Sequence, residues 1–324
     1  NFQLKLICRV LQRLLQFASF MEGIEMEHLE NSSDDFCNAI LSQFRESNNE
    51  HHLQICTAIG TMSQELRDQG FPLTPISYFG STCSALQTLF TELPPPHLID
   101  ALSTILSLVL PRINQAILRK KYGYLSDVMI QLLGSKTIGT EGIVSCLKCV
   151  GCLLIVGAKG NWSDVAQLFG VFIGYITDDR QKVRKTSHGC LRDLMQNFQS
   201  SSVLAPLLAP ASEAITNLFE RSLLLAGGTT VNASERPKGA QEVLQMLDAL
   251  KLCLPFMSSK YLTSTLKYFK SLLELHQPLV SRRIADGLNA LCIHPTAEVS
   301  AEVLLDLLGS FATSVSANET SADT

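Results

Sequence analysis

Residues 176–191 read ITDDRQKVRKTSHGCL. An apolar residue, an acidic turn, a Val-Arg pair, a small residue and a leucine follow in that order, and each has a physical use. Val183, Ser187, Cys190, Leu191, Leu194, Met195 and Phe198 recur at helical intervals, which places them on one face of a helix. Asp178 or Asp179 stands just before that helix, where a carboxylate caps free amides. Ser187 is small enough to let a neighbouring helix approach. Arg184 points back at the turn, within reach of the preceding aspartate or of backbone carbonyls. A helix built this way is the second of a pair, and it needs further pairs to cover its apolar face.

Outward from this turn the same pattern repeats. Upstream, the spacing predicts helices over 162–176 with Ser163 as N-cap, over 138–156 ended by Gly157 and Gly160, and over 121–133 ended by Gly134. Before these, Leu102, Ile105, Leu106, Val109, Leu110, Ile113 and Ile117 form one stripe, entered past Pro94, Pro95 and Pro96 and divided by Pro111. Downstream, helices are predicted over 203–225, 240–256, 259–275, 279–292 and 297–314, with a loop at 226–239 (AGGTTVNASERPKG). Nearer the start, 33–44 and 52–66 read as helices, 2–21 as an apolar helix and 22–35 as an acidic linker. About a dozen helices with short links and no period-two pattern make an all-α fold, an α-solenoid of antiparallel helix pairs of HEAT/armadillo type. The expected organisation is residues 1–50 as N-terminal helices and linker, 51–314 as solenoid, and 315–324 as a disordered tail. A second, weaker copy of the turn pattern lies at 279–291 (LVSRRIADGLNAL), with Val280, Arg282, Ala285 and Leu288. Its distance from Val183 accommodates two repeats of roughly 40–47 residues plus the loop.

Composition agrees. The 324 residues are 46% hydrophobic but only 7% aromatic, with one Trp, which favours stacked helices over a sandwich or barrel. The net charge of −4 excludes a uniformly basic surface, so any nucleic-acid contact has to be a local patch. The ten Cys are scattered through apolar stretches and read as reduced core thiols of a cytosolic or nuclear protein. The most apolar run, 150–158, has about half the length a bilayer span needs, so no membrane segment is expected.

No catalytic chemistry is legible. Cys146, Cys149 and Cys152 fall at steps of three, and a continuous helix cannot converge all three on one ion; no second knuckle accompanies them. His188 follows Ser187, but adjacent helical residues point about 100° apart. His51 and His52 have no partner motif, and no phosphate loop or nucleophile elbow occurs. The expectation is therefore a non-enzyme with no metal, no cofactor and no small-molecule substrate. The defensible features are basic: Arg119, Lys120 and Lys121; Arg180, Lys182, Arg184 and Lys185; Arg282 and Arg283. Equivalent turns of successive repeats line one edge of a solenoid, so these clusters are candidates for RNA or acidic-partner binding. They carry little aromatic interleaving, which points to phosphate contact rather than base stacking.

The order of these segments carries a resemblance. Residues 98–121, with Leu108 to Arg112 (LVLPR) leading to Lys120–Lys121, then 144–154, the Trp162 helix, and Lys182, Arg184, Lys185 and Gly189, are similar to the N-terminal HEAT region of the ribosomal RNA-processing protein twelve-like family. Residues 1–50 find no match, and Thr186–Ser187 replaces a small apolar pair. The resemblance implies a nucleolar and nuclear ribosome-biogenesis scaffold. Its expected partners are pre-ribosomal proteins and rRNA, with nuclear transport factors as further candidates; its expected roles are rRNA processing, subunit maturation and export. The alternative is a karyopherin-like transport receptor or another HEAT protein-interaction scaffold.

Overall fold

The computed structural model describes residues 36–89, 96–157, 161–227, 236–294 and 299–322. The helix expected at 2–21, the linker at 22–35, Pro94, Pro95 and most of the 226–239 loop lie outside them. The described residues form fourteen α-helices joined by turns and short 3-10 segments, with no strand among them. The fold is the all-α solenoid of helix pairs expected from the sequence. The chain divides at Gly157 into two compact units, inside the 51–314 stretch read as one solenoid.

In the first unit the helices are α1 (Phe36–Phe44), α2 (Glu50–Asp68), α3 (Pro75–Leu89), α4 (Pro96–Val109), α5 (Gln115–Lys120), α6 (Tyr122–Gly134) and α7 (Thr140–Gly157). Pairs α1/α2, α3/α4 and α6/α7 stack so that their second helices, α2, α4 and α7, lie side by side. Pro111 divides as expected: α4 ends at Val109 and a 3-10 turn spans Leu110–Arg112. Asn49 and Asn114 cap α2 and α5, accepting from the amides of His51 at 2.9 Å and Ala116 at 2.8 Å.

Helix α3 is not legible by periodicity, because it is buried on every side from Pro75 to Leu86. Its polar positions are buried with the apolar ones. Ser77, Ser81 and Thr82 are inaccessible, and Thr82 returns its hydroxyl to the Tyr78 carbonyl at 2.7 Å. Tyr78 in turn bonds Ser63 of α2 at 2.8 Å.

Helix α7 corrects the length of the apolar run. The 18-residue helix Thr140–Gly157 is long and apolar enough for a bilayer span by length and composition, and 67% of that window is buried inside the protein. Its start is held by another helix: Asp100 of α4 accepts from the Gly139 amide at 2.8 Å. A β-carbon at Gly139 would stand 2.2 Å from one Asp100 oxygen, and one at Gly142 2.3 Å from the other, so the carboxylate fits only because both positions are bare.

The second unit contains α8 (Ala166–Ile173), α9 (Gln181–Ser200), α10 (Leu208–Gly227), α11 (Arg236–Cys253), α12 (Ser259–Leu273), α13 (Pro278–Cys292) and α14 (Ala301–Ala322). One row holds α8, α10, α12 and α14; the other holds α9, α11 and α13. Two expectations change here. Asn161, not Ser163, is the cap, accepting from the Ser163 amide at 3.3 Å, and it opens a 3-10 turn ahead of α8. Helix α14 runs through to Ala322 and covers most of the tail expected to be disordered at 315–324. Residues 310–322 hold neither Gly nor Pro to stop it, and Ser314 is buried against Ser281 at 2.9 Å.

Val183, Leu191 and Leu194 are fully buried, and Leu288 is 7% exposed. Leu191→Ala should therefore cost roughly 2–5 kcal/mol, read as a shift of the denaturant midpoint; a midpoint equal to the parent's would contradict the packing. The thiols give a second check. Burial pushes Cys146 up to about 12 and raises Cys149 and Cys152, whereas Cys292 is exposed. Under native, mildly alkaline conditions a thiol reagent should modify Cys292 and spare Cys146 and Cys149.

Candidate nucleic-acid interface

The α8–α9 turn is where the sequence pattern places most of its cations. Three side chains of α9 reach back to the carbonyls that end the preceding segment. Arg184 Nη1 donates to the carbonyls of Asp178 at 2.6 Å and Asp179 at 3.3 Å. Ser187 Oγ donates to Tyr175 O at 2.9 Å, and His188 Nε2 donates to Ile176 O at 2.8 Å. Carbonyls at a helix end have no intrahelical partner, so the second helix completes the first. His188 is buried; burial depresses its basicity, which outweighs the supporting bond to Ile176 and keeps the ring neutral near pH 7.

Asp178 does not cap the first turn of α9 as expected. Its Oδ1 accepts from the Arg180 amide and from Arg180 Nε, both at 2.9 Å, and its Oδ2 accepts from Arg180 Nη2 at 2.7 Å. The aspartate sits two residues ahead of the N-cap position, so its reach ends at that residue. Burial pushes the Asp178 carboxyl up, but the Arg180 hydrogen bonds overcome this and hold it below the usual carboxylate value.

The basic cluster is thus largely committed. Arg180 is paired with Asp178, and Arg184 is spent on the turn. Lys182 and Lys185 are exposed on the first turns of α9. In α13, Arg283 pairs with Asp248 of α11, while Arg282 is exposed. The weaker copy of the pattern therefore binds its neighbour across the row rather than closing its own turn, and Lys251 of α11 answers it through Asp286 at 3.3 Å. Arg119, Lys120 and Lys121 belong to the first unit, at the end of α5, where cations complement the helix dipole. Arg119 reaches Gln115 at 3.4 Å.

The sequence reading passed over a second charged face. On α12, residues 260–266 and 267–273 read KYLTSTL and KYFKSLL, two copies of a heptad. Leu262, Thr265, Leu266, Phe269, Leu272 and Leu273 are buried. Lys260, Lys267 and Ser271 are left exposed, with Tyr261, Ser264 and Tyr268 half-exposed. The heptad repeat was the signal available. Elsewhere in this unit, a groove of about 260 Å³ between α8 and α10 is floored by Gly170 and Gly174 and rimmed by Arg221, with no acid–base pair in its walls.

The family described as RRP12-like, N-terminal HEAT repeats matches residues 22–299. The chain belongs to this RRP12-like family. The match begins well inside the 1–50 stretch that had found no counterpart. An RRP12-like protein of Gallus gallus is 25% identical over 246 residues, covering 74% of this chain and 18% of the relative. An RRP12-like protein of Homo sapiens is 24% identical over 219 residues, covering 66% and 16%. The chain thus spans less than a fifth of the length of these relatives. In RRP12-like terms, the α8–α9 turn and the stacked rows are the HEAT architecture itself.

The Asp178–Arg180 pair is testable through acid. A carboxylate whose folded value is depressed adds stability that is present above its unfolded value and lost as pH falls through the folded one. Asp178→Asn should lower the melting temperature at neutral pH, and the gap to the parent should close below about pH 4. A gap that persists in acid would show that the residue acts by shape rather than by charge.

Proposed function

We propose that this chain is the N-terminal HEAT scaffold of a ribosome-biogenesis factor, a binding protein rather than a catalyst, that engages pre-ribosomal RNA and proteins in the nucleus and nucleolus. The observation that carries the reading is the RRP12-like family match over residues 22–299, on a fold of stacked helix pairs. Roles in rRNA processing, subunit maturation and nuclear export follow from that reading, with nuclear transport factors as further partners. Phosphate contact suits the cations that the fold leaves exposed on the α9–α11–α13 row, Lys182, Lys185 and Arg282. Such contacts fix position without reading bases.

Recovery of RNA cross-linked to the tagged full-length protein tests this directly. Enrichment of pre-rRNA is the expected result, and a profile equal to the untagged control would reject the reading. On the same footing, Lys182→Glu with Lys185→Glu should weaken RNA association with an unchanged melting curve. The loss should be greatest at low salt, because each phosphate contact releases counterions.

A further inference from the structure

We propose that the outer face of α12 is a single-stranded RNA platform, in which Tyr261 and Tyr268 stack bases while Lys260 and Lys267 hold phosphates. This rests on the RNA-binding reading above and assigns it a surface that the basic edge of α9 does not include, since α12 belongs to the other row of the second unit.

The heptad sets the geometry. Seven residues advance a helix by about 10.5 Å and return to within about 20° of the same direction. Lys260 and Lys267, Tyr261 and Tyr268, and Ser264 and Ser271 therefore form three rows along one face. The apolar residues of α12 are consumed in the core, so these three rows carry cations, phenol rings and hydroxyls. A membrane surface needs an apolar face turned outward, which α12 lacks. An acidic protein would be served by the lysines alone. Repeated aromatic rings beside cations match the π-faces and phosphates of unpaired nucleotides.

The rings are held in place. The Lys260 ammonium lies 4.8 Å from the Tyr261 ring centre, over one face of the ring. Tyr268 stands in a T-shaped contact with buried Phe219 at 6.0 Å, with Glu220 near its hydroxyl. Rings already fixed lose little entropy on stacking. The charge is also available. Lys270, on the flank, is neutralised by Asp306 at 2.7 Å, whereas no carboxylate among the described residues pairs with Lys260 or Lys267.

The test uses the full-length protein and a fluorescent single-stranded RNA oligonucleotide, with the same sequence as a duplex for comparison. Tyr261→Ala with Tyr268→Ala should weaken single-strand binding about tenfold or more, while Tyr261→Phe with Tyr268→Phe, which keeps the rings, should bind like the parent. The phenylalanine pair also guards against misfolding, because the edge contact with Phe219 survives. Lys260→Gln with Lys267→Gln should reduce the salt slope by about 1.4 and leave the melting curve unchanged. The duplex should be affected less by loss of the rings than the single strand. If the parent binds RNA and every α12 variant binds equally, this surface is wrong and the wider reading stands. If the parent binds no RNA, both fail. Loss of co-purifying proteins with RNA affinity intact would make the face a protein interface and overturn the proposal.

Discussion

A helix that is apolar on more than one side is stable only between neighbours, and the second helix of each pair here is in that position. In each unit these helices, α2, α4 and α7 or α9, α11 and α13, form a continuous row, and each is the wall against which the next is built. Removing the neighbour would expose faces such as the Val183–Phe198 stripe to water at about 25 cal/mol per Å². The turns serve this row. Arg184, Ser187 and His188 occupy the carbonyls left open by the preceding segment, so α9 is locked to its partner by hydrogen bonds as well as by its apolar stripe.

Hydrophobic contact alone does not fix how far one helix slides along another. Buried hydroxyls do so at several seams. Thr104 of α4 meets Ser145 of α7 at 2.9 Å, Thr216 of α10 meets Thr265 of α12 at 3.3 Å, and Ser281 of α13 meets Ser314 of α14 at 2.9 Å. A slip of one residue would break each of these pairs; Thr104, Thr216 and Thr265 also donate to carbonyls of their own helices, so the cost is the lost bond across the seam rather than a stranded hydroxyl. Charged pairs such as Arg283–Asp248 and Lys251–Asp286 repeat the logic at the partly exposed rim.

This arrangement explains what could be read in advance. The α9 stripe, the Pro111 break and the role of Arg184 follow from spacing, because amphipathic helices advertise one face. Helix α3 does not, since its serines and threonines are buried together with its apolar residues and read in the sequence as surface positions. The use of cations was harder to foresee. Whether an arginine binds a partner or the protein depends on which carboxylate the fold brings beside it; Asp248 lies far from Arg283 in sequence yet takes it, while no carboxylate among the described residues takes Lys260 or Lys267. The lysine–tyrosine face of α12 was legible as a heptad, but each member looked ordinary when taken by itself.

The Asp100 carboxylate at the head of α7 bears on the order of events during synthesis. It precedes Gly139 by 39 residues, so it leaves the ribosome first. Chains fold from the N-terminus as they emerge. The one helix among the described residues with the length and composition of a bilayer span thus meets a docking point already exposed on α4, at two glycine positions whose bareness admits the carboxylate. An aspartate on the earlier helix gives α7 a destination before its greasy length has any opportunity to stray toward a membrane or a second nascent chain.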